Sequence, residues 1–404
     1  MADSDSYLKW AAGLLDELPG GWATRLTVVR TPIAPSPDQI RTAVSGTRSA
    51  GAAEPPPVLP ARLLRRTAER MRPDIVLVAC TGPVVDVLVA EVLGGLRPRP
   101  VFVTGLPGIA VPATEKAWLY RSGCDLFVVH SGREAAEFTR LGKDLGGQGA
   151  VALARLPYLD RGVRRGEPGA AGGTRDKVIF ATQAKVPKRR HERERILLSL
   201  AELAAARPDL EVVVKLRARG GERQTHHERH PYERLWRALA DAGRVRGDLL
   251  TFAAGAMHEH LARAAGFVTV SSTAALEAIQ HEVPLLILSD FGVSAEMINL
   301  VFEDSGCLGT LDDLAAGRFR TPDEDWCRAN YFHDPAASDL AARITALTEQ
   351  ARAGLLAPAR SLLDGREHAA ARRRARLRLE LPTRVLRVGY RARRRVRRYL
   401  TVRG

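Results

Sequence analysis

The feature that most constrains this chain is an alternation of apolar runs, four to six residues long, with segments of helical spacing. Continuous apolar runs suit strands covered on both faces, so the pattern points to parallel sheets wrapped by helices. In the first part of the chain the expected strands are Leu26–Val29, Asp74–Ala79, Pro100–Thr104, Asp125–Val129 and Ala150–Ala154. Helices are expected at Ser6–Leu15, Ala61–Arg70, Pro83–Leu93, Ala113–Tyr120 and Arg133–Leu141. Thr42–Pro60, with three consecutive prolines, reads as a mobile surface excursion.

The alternation stops at Arg161–Arg175, which has five Gly, one Pro and no apolar period, and then restarts. Strands are expected at Lys177–Ala181, Glu211–Lys215, Leu249–Phe252, Phe267–Val270 and Pro284–Ser289. Helices are expected at Arg189–Ala206, Pro231–Ala240, Met257–Ala264, Ala274–His281 and Ser294–Glu303. Length 404 suffices for two cores. The fold class is therefore α/β, with two Rossmann-like doubly wound domains facing across a cleft. The expected division is 1–160, a linker at 161–175, a second domain at 176–320, helices at 321–365 and a basic tail at 366–404. Ligand then binds where the carboxyl ends of the strands meet the cleft. A doubly wound domain begins with a strand, yet Asp3-Ser4-Asp5-Ser6 leads at once into a helix. The first strand is expected to be missing, as from a start codon assigned too far downstream.

Charge separates body from tail. Arg366–Gly404 holds 15 Arg against two Glu, or +13 of the net +15, leaving +2 on the other 365 residues. A near-neutral body does not suit a nucleic-acid binder. The tail interleaves its arginines with Leu and Val, which suits an anionic membrane surface; RNA binding and a solvated tail are its other readings. Cys80, Cys124, Cys307 and Cys327 form no CxxC pair, which argues against a disulfide framework or structural zinc. With no apolar signal core and no membrane-length run, a cytoplasmic protein is expected, peripheral at most on the inner membrane face.

The segment Phe267–Asp290 (FVTVSSTAALEAIQHEVPLLILSD) carries the clearest chemistry. A strand ends in Ser271-Ser272-Thr273 and a helix follows directly, so backbone N–H groups and hydroxyls can meet a phosphate. Glu277, one turn in from Thr273, can bind a ribose diol. The same spacing also fits an ordinary capped turn with a solvated Glu277.

The run SSTAALEAI…VPLLIL resembles the donor-binding signature of GT-B glycosyltransferases. ADSDSYLKWAAGLL, TGLPGIAVPATEKAW, CDLFVVHSGREAAEF, FATQAKVPKRRHERE and VVVKLR resemble one glycosyltransferase family of high-GC bacteria. This resemblance implies a GT-B enzyme taking sugar from a nucleotide-activated donor, with no metal and no cofactor. It places Ser271, Ser272, Thr273 and Glu277 on the donor, with Thr182 and Gln183 after the first strand of the second domain. Lys215 and Arg217 offset phosphate charge by the same resemblance, or else face solvent at a basic strand end.

If the reaction inverts configuration, a base must take the acceptor proton. Asp5 and Asp3 are the candidates, and N-capping is the other use for either. On the acceptor side stand Gly105 and Gly108, which permit close backbone approach or simply shape a turn. His130 and Ser131 follow the next strand. His226-His227-x-x-His230 has helical metal spacing but sits in a Gly- and Arg-rich stretch that favours a loop. The expected function is transfer to a cell-surface polysaccharide or glycolipid precursor. The alternatives are a nucleotide-sugar epimerase or polyol-phosphate transferase, and a nucleic-acid-associated protein acting through its tail.

Overall fold

The structure, a computed structural model, describes residues 1–381 except 53, 160–173, 217–227, 256 and 358. The expected linker, Arg217, His226, His227 and the distal tail therefore lie wholly or largely outside the described residues. The strands are β1 (Val28–Val29), β2 (Val58–Leu59), β3 (Ile75–Leu77), β4 (Val101–Gly105), β5 (Leu126–Val129) and β6 (Ala150–Leu153), then β7 (Lys177–Ala181), β8 (Glu211–Lys215), β9 (Thr251–Ala253), β10 (Ala264–Thr269), β11 (Leu285–Leu288) and β12 (Leu308–Gly309).

The second sheet is parallel, in the order β12-β11-β10-β7-β8-β9. Its central strand shows why the apolar runs were continuous. Ile179 and Ala181 enter one core, whereas Val178 and Phe180 enter the other. Both faces are covered, and each large side chain so buried stabilises the fold by roughly 2 kcal/mol.

The first sheet repeats that order around a strand of only three residues. β1 pairs with β2, and β3 through β6 form a parallel ladder. Ala2 bridges Val28 on one side and Ala79 on the other, both in parallel. Ala2 N–H donates to Thr27 O (3.0 Å), and Ala79 N–H donates to Met1 O (2.9 Å). Residues 1–3 thus hold the first-strand position, correcting the expectation that it is missing. Beyond Met1 lies an apolar cavity of about 170 Å³, whose lining includes Leu14, Leu18, Leu26, Ala68 and Ile75.

Three further expectations change. Thr42–Pro60 is no loose excursion: helix Pro37–Val44 reaches into it behind a Ser36 capping box, and β2 closes it onto β1. Ser294–Glu303 is not one helix. Asn299, fully buried, accepts from Ser294 N–H and donates to Gly292 O, folding the segment into turns before a 3-10 helix, Leu300–Phe302.

The first part of the basic tail is built into the fold. Arg366–Glu380 is a helix docked on the first domain: Arg372 holds Asp86 through two 2.8 Å bonds, and Ala375 and Leu379 are buried. The chain has crossed back to reach it. Trp326 Nε1–H donates to Val301 O in the second domain (2.9 Å). Tyr331 Oη–H then donates to Glu134 in the first (2.5 Å), and Asp339 accepts from Leu153 N–H (2.8 Å). Among the described residues no helix is long and apolar enough to cross a membrane.

Candidate functional site

In each sheet the strand order reverses beside the first strand, and the crevice opens at the carboxyl ends there. In the second domain this point lies between β7 and β10, bringing Thr182-Gln183 beside Ser271-Ser272-Thr273. In the first it lies between residues 1–3 and β3, at Asp3-Ser4-Asp5 and Thr81.

The two domains touch at these ends. A Cβ on Gly108 would stand 2.9 Å from Thr273 Oγ1, so glycine there lets the two turns approach. Tyr158 comes from the segment after β6. Its hydroxyl is shut from solvent and faces Thr273. Burial, and then the nearby Glu277 carboxylate, push its phenol well above the usual range, while Thr273 acts the other way. Lys9 Nζ lies 4.8 Å from the centre of the Tyr158 ring. Lys9 stands one turn along the helix Asp5–Glu17 from Asp5. Asp5 reaches solvent, yet lost hydration raises its carboxyl above the ordinary range, and the Lys9 ammonium opposes that rise. Asp5, Lys9, Tyr158, Thr273 and Glu277 therefore follow one another as neighbours across the junction of the two domains, with Gly108 against Thr273.

Other predicted residues are spent inside the protein. Ser271 Oγ donates to Ile298 O (2.6 Å), fixing the turn after β11. Ser272 Oγ accepts from Ala274 N–H (3.1 Å) and remains half-buried. Helix Ala274–Gln280 starts without a side-chain cap at Thr273, which is already helical. Thr182 donates both its N–H (3.1 Å) and its hydroxyl (3.0 Å) to Lys215 O, tying adjacent strand ends together. Lys215 is buried and its ammonium donates to Leu216 O (2.8 Å). Gln183 stays half-buried, and its carbonyl accepts from Arg193.

On the first domain, Asp3 does not serve as a base. It is fully buried, and Oδ2 accepts from Thr81 N–H (2.9 Å) and Oγ–H (2.5 Å), clamping the switch point shut. Burial raises its carboxyl, against those two bonds. His130 cannot accept a proton from substrate either. Trp10 Nε1–H donates to its Nε2 (2.7 Å), its Nδ1 lies 3.0 Å from Ala154 O, and burial lowers it to about 4. Ser131, wholly buried, caps helix Gly132–Asp144 by accepting from Glu134 N–H. Gly105 serves packing, since a Cβ would meet the Trp10 ring and Val128 O at 2.7 Å.

Sequence reasoning missed Lys9, Tyr158 and Arg193. Lys9 was legible, four residues from Asp5 on the same helix face. Tyr158 carries no local signal. Arg193 is buried and over the Tyr232 ring; it donates to Pro187 O, Gln183 O, Ala184 O and His230 O, and pairs with Glu228. It pins the loops after β7 and β8. Among the described residues no group of three or more His, Cys, Asp or Glu gathers at metal-ligand distance.

The sequence matches the family described as "Putative glycosyltransferase (DUF6716)" over residues 1–347. No curated protein matches it. Among solved structures, the chain is similar to a putative UDP-N-acetylglucosamine 2-epimerase from Listeria monocytogenes (TM-score 0.56, 14% identity, covering 89% of this chain and 96% of that one). It is also similar to the S. aureus MnaA–UDP co-structure (0.54, 13%, 88% and 96%) and to UDP-GlcNAc 2-epimerase from Neisseria meningitidis bound to UDP-GlcNAc (0.52, 12%, 85% and 98%). At such identities these likenesses speak to the fold, which is GT-B.

Proposed function

The chain belongs to that glycosyltransferase family, and from this premise we propose that it moves a sugar from a nucleotide-activated donor to a hydroxyl of a cell-surface polysaccharide or glycolipid precursor. The observation that carries the reading is the junction itself. Thr273 and Glu277 stand half-buried at the switch point of the second domain, Gly108 and Tyr158 of the first lie against them, and Lys9 lies over the Tyr158 ring.

In this reading Glu277 holds the donor ribose, and Thr273 with Lys9 takes the diphosphate. A cation fixed at the leaving phosphate stabilises the charge that grows as the sugar–phosphate bond breaks. The acceptor oxygen forms the new bond to the anomeric carbon, its proton passes to Asp5 in an inverting transfer, and the nucleoside diphosphate departs. A carboxylate held above its ordinary pKa is a better base for that proton.

The test is donor binding and turnover across a panel of nucleotide sugars. Asp5→Asn should lower kcat by roughly 100-fold to 10,000-fold with donor affinity kept. A folded protein that no nucleoside diphosphate or nucleotide sugar stabilises against heat would end the proposal. An epimerase, by contrast, would convert its donor with no acceptor present.

A further inference from the structure

The large apolar side chains exposed among the described residues are six: Val58, Leu63, Met71, Leu355, Leu377 and Leu381. Five belong to one neighbourhood. Val58 lies in β2, Leu63 and Met71 on the helix Ala61–Met71 that follows it, and Leu377 and Leu381 on and just beyond the helix Arg366–Glu380. The two helices touch and share one apolar cluster beneath them, through Ala61, Leu64 and Ala68 on one and Ala375 and Leu379 on the other.

Their outward residues are mainly basic, with Glu69, Glu367 and Glu380 also exposed. Arg62, Arg66 and Arg70 recur every fourth residue on the first helix, and Arg366, Arg373 and Arg374 are exposed on the second. None of these six has an ion pair among the described residues. Two arginines anchor the second helix to its surroundings: Arg372 on Asp86 and Asp364, and Arg376 on Glu91. Docking thus divides one Arg-rich helix into a paired side and an outward side, where arginines alternate with exposed leucines.

We propose that this face of the first domain is a membrane-docking surface for an anionic bilayer. Guanidinium groups meet the lipid phosphates, while the leucines enter the interface between headgroups and acyl chains. The apolar component decides against nucleic acid, whose single strands are gripped by stacking aromatics. Neither Val58, Leu63, Met71, Leu377 nor Leu381 is aromatic. The surface lies on the domain that carries Asp5 and is independent of which reaction the candidate site performs.

The experiment is co-flotation of the full chain with vesicles of phosphatidylcholine, alone or with about one third phosphatidylglycerol, a composition that supplies the negative surface potential. Two variants are compared: Arg366→Glu/Arg373→Glu/Arg374→Glu and Leu377→Asn/Leu381→Asn. All five positions are exposed and, although Arg366 and Arg373 share a hollow with Arg372, Asp364 and Glu91, none bonds Asp86, so the thermal midpoint should hold in both variants. The native chain should float with the anionic vesicles only. Charge reversal should weaken partitioning by at least about 100-fold, from roughly tenfold or less per basic residue near the surface. The leucine variant should also lose binding, by about tenfold. Unchanged partitioning of the charge-reversed chain would assign membrane contact to other residues and overturn the proposal. So would no flotation at all, or RNA binding that the leucine variant leaves intact in the absence of vesicle binding.

Discussion

The two halves share one strand order but use the turns at their strand ends differently. After β5, His130, Ser131 and Glu134 are sealed: Glu134 accepts from Tyr331, His130 N–H and Ala110 N–H, and none of the three reaches solvent appreciably. After β10, Ser272, Thr273 and Glu277 remain half-buried and look across at the other domain. Both segments read alike in sequence, an apolar strand running through a hydroxyl residue into a helix with a Glu in its first turn. What stands opposite decides the difference. Trp10 and Tyr331 fill the space over the first turn, whereas Gly108 and Tyr158 of the other domain stand at the second.

Gly105 and Gly108 sharpen that contrast most. Gly105→Ala puts a methyl against the Trp10 ring and a backbone oxygen, neither of which can yield cheaply, and should cost about 3 kcal/mol in urea denaturation. If Gly108→Ala proved equally destabilising, the distinction between packed and open turns would be broken.

His130 supplies a pH test of nearly the same size. Its folded pKa, about 4, lies below the usual 6.5, so its contribution is present above pH 6.5 and is lost as pH falls through 4. Native stability should drop by up to about 3 kcal/mol over that window, and His130→Gln should flatten the slope. Asp3 and Glu134, raised by burial, contribute most at acid pH and lose that contribution as pH rises, so the comparison with the variant isolates the histidine.

Smaller effects belong to the open turn. Glu277→Gln should weaken binding of a nucleotide sugar by about tenfold in calorimetry, with the thermal midpoint unchanged, since a lost charged hydrogen bond amounts to about 1.5 kcal/mol. Gly108→Ala should change stability by less than about 1 kcal/mol, because its new methyl meets one half-buried side chain, Thr273, with Oγ1 at 2.9 Å and no backbone, and should show instead as a modest loss of donor affinity.

Much of the fold was legible. The strands Lys177–Ala181 and Glu211–Lys215 have the residue bounds expected from their apolar runs, because burial on both faces leaves an unbroken signal. Two-residue strands such as β2 and β12 escaped, being too short to carry a period. The helix expected at Ser294–Glu303 failed for a different reason. Asn299 offers the backbone side-chain bonds that compete with helix, and spacing alone does not register that competition. The candidate site draws on the turn at 271–273 and Glu277, which the sequence marks, and on Asp5, which was singled out with Asp3, but nothing local separated those two aspartates. Thr81, 78 residues from Asp3, closes on one and leaves the other to solvent.

Sequence by itself determined the layered α/β architecture, the restart after residue 175 and the hydroxyl-rich turn at 271–273, since each rests on local pattern and the chemistry of neighbouring residues. Tertiary structure alone decided that three residues serve as a central strand, that an Arg-rich segment docks as a helix on the first domain, and that Tyr158, with Lys9 over its ring, meets Thr273 and Glu277. Those outcomes depend on contacts between residues from tens to hundreds of positions apart, or on neighbours that fill or vacate a space. The spacing of a chain along itself records neither.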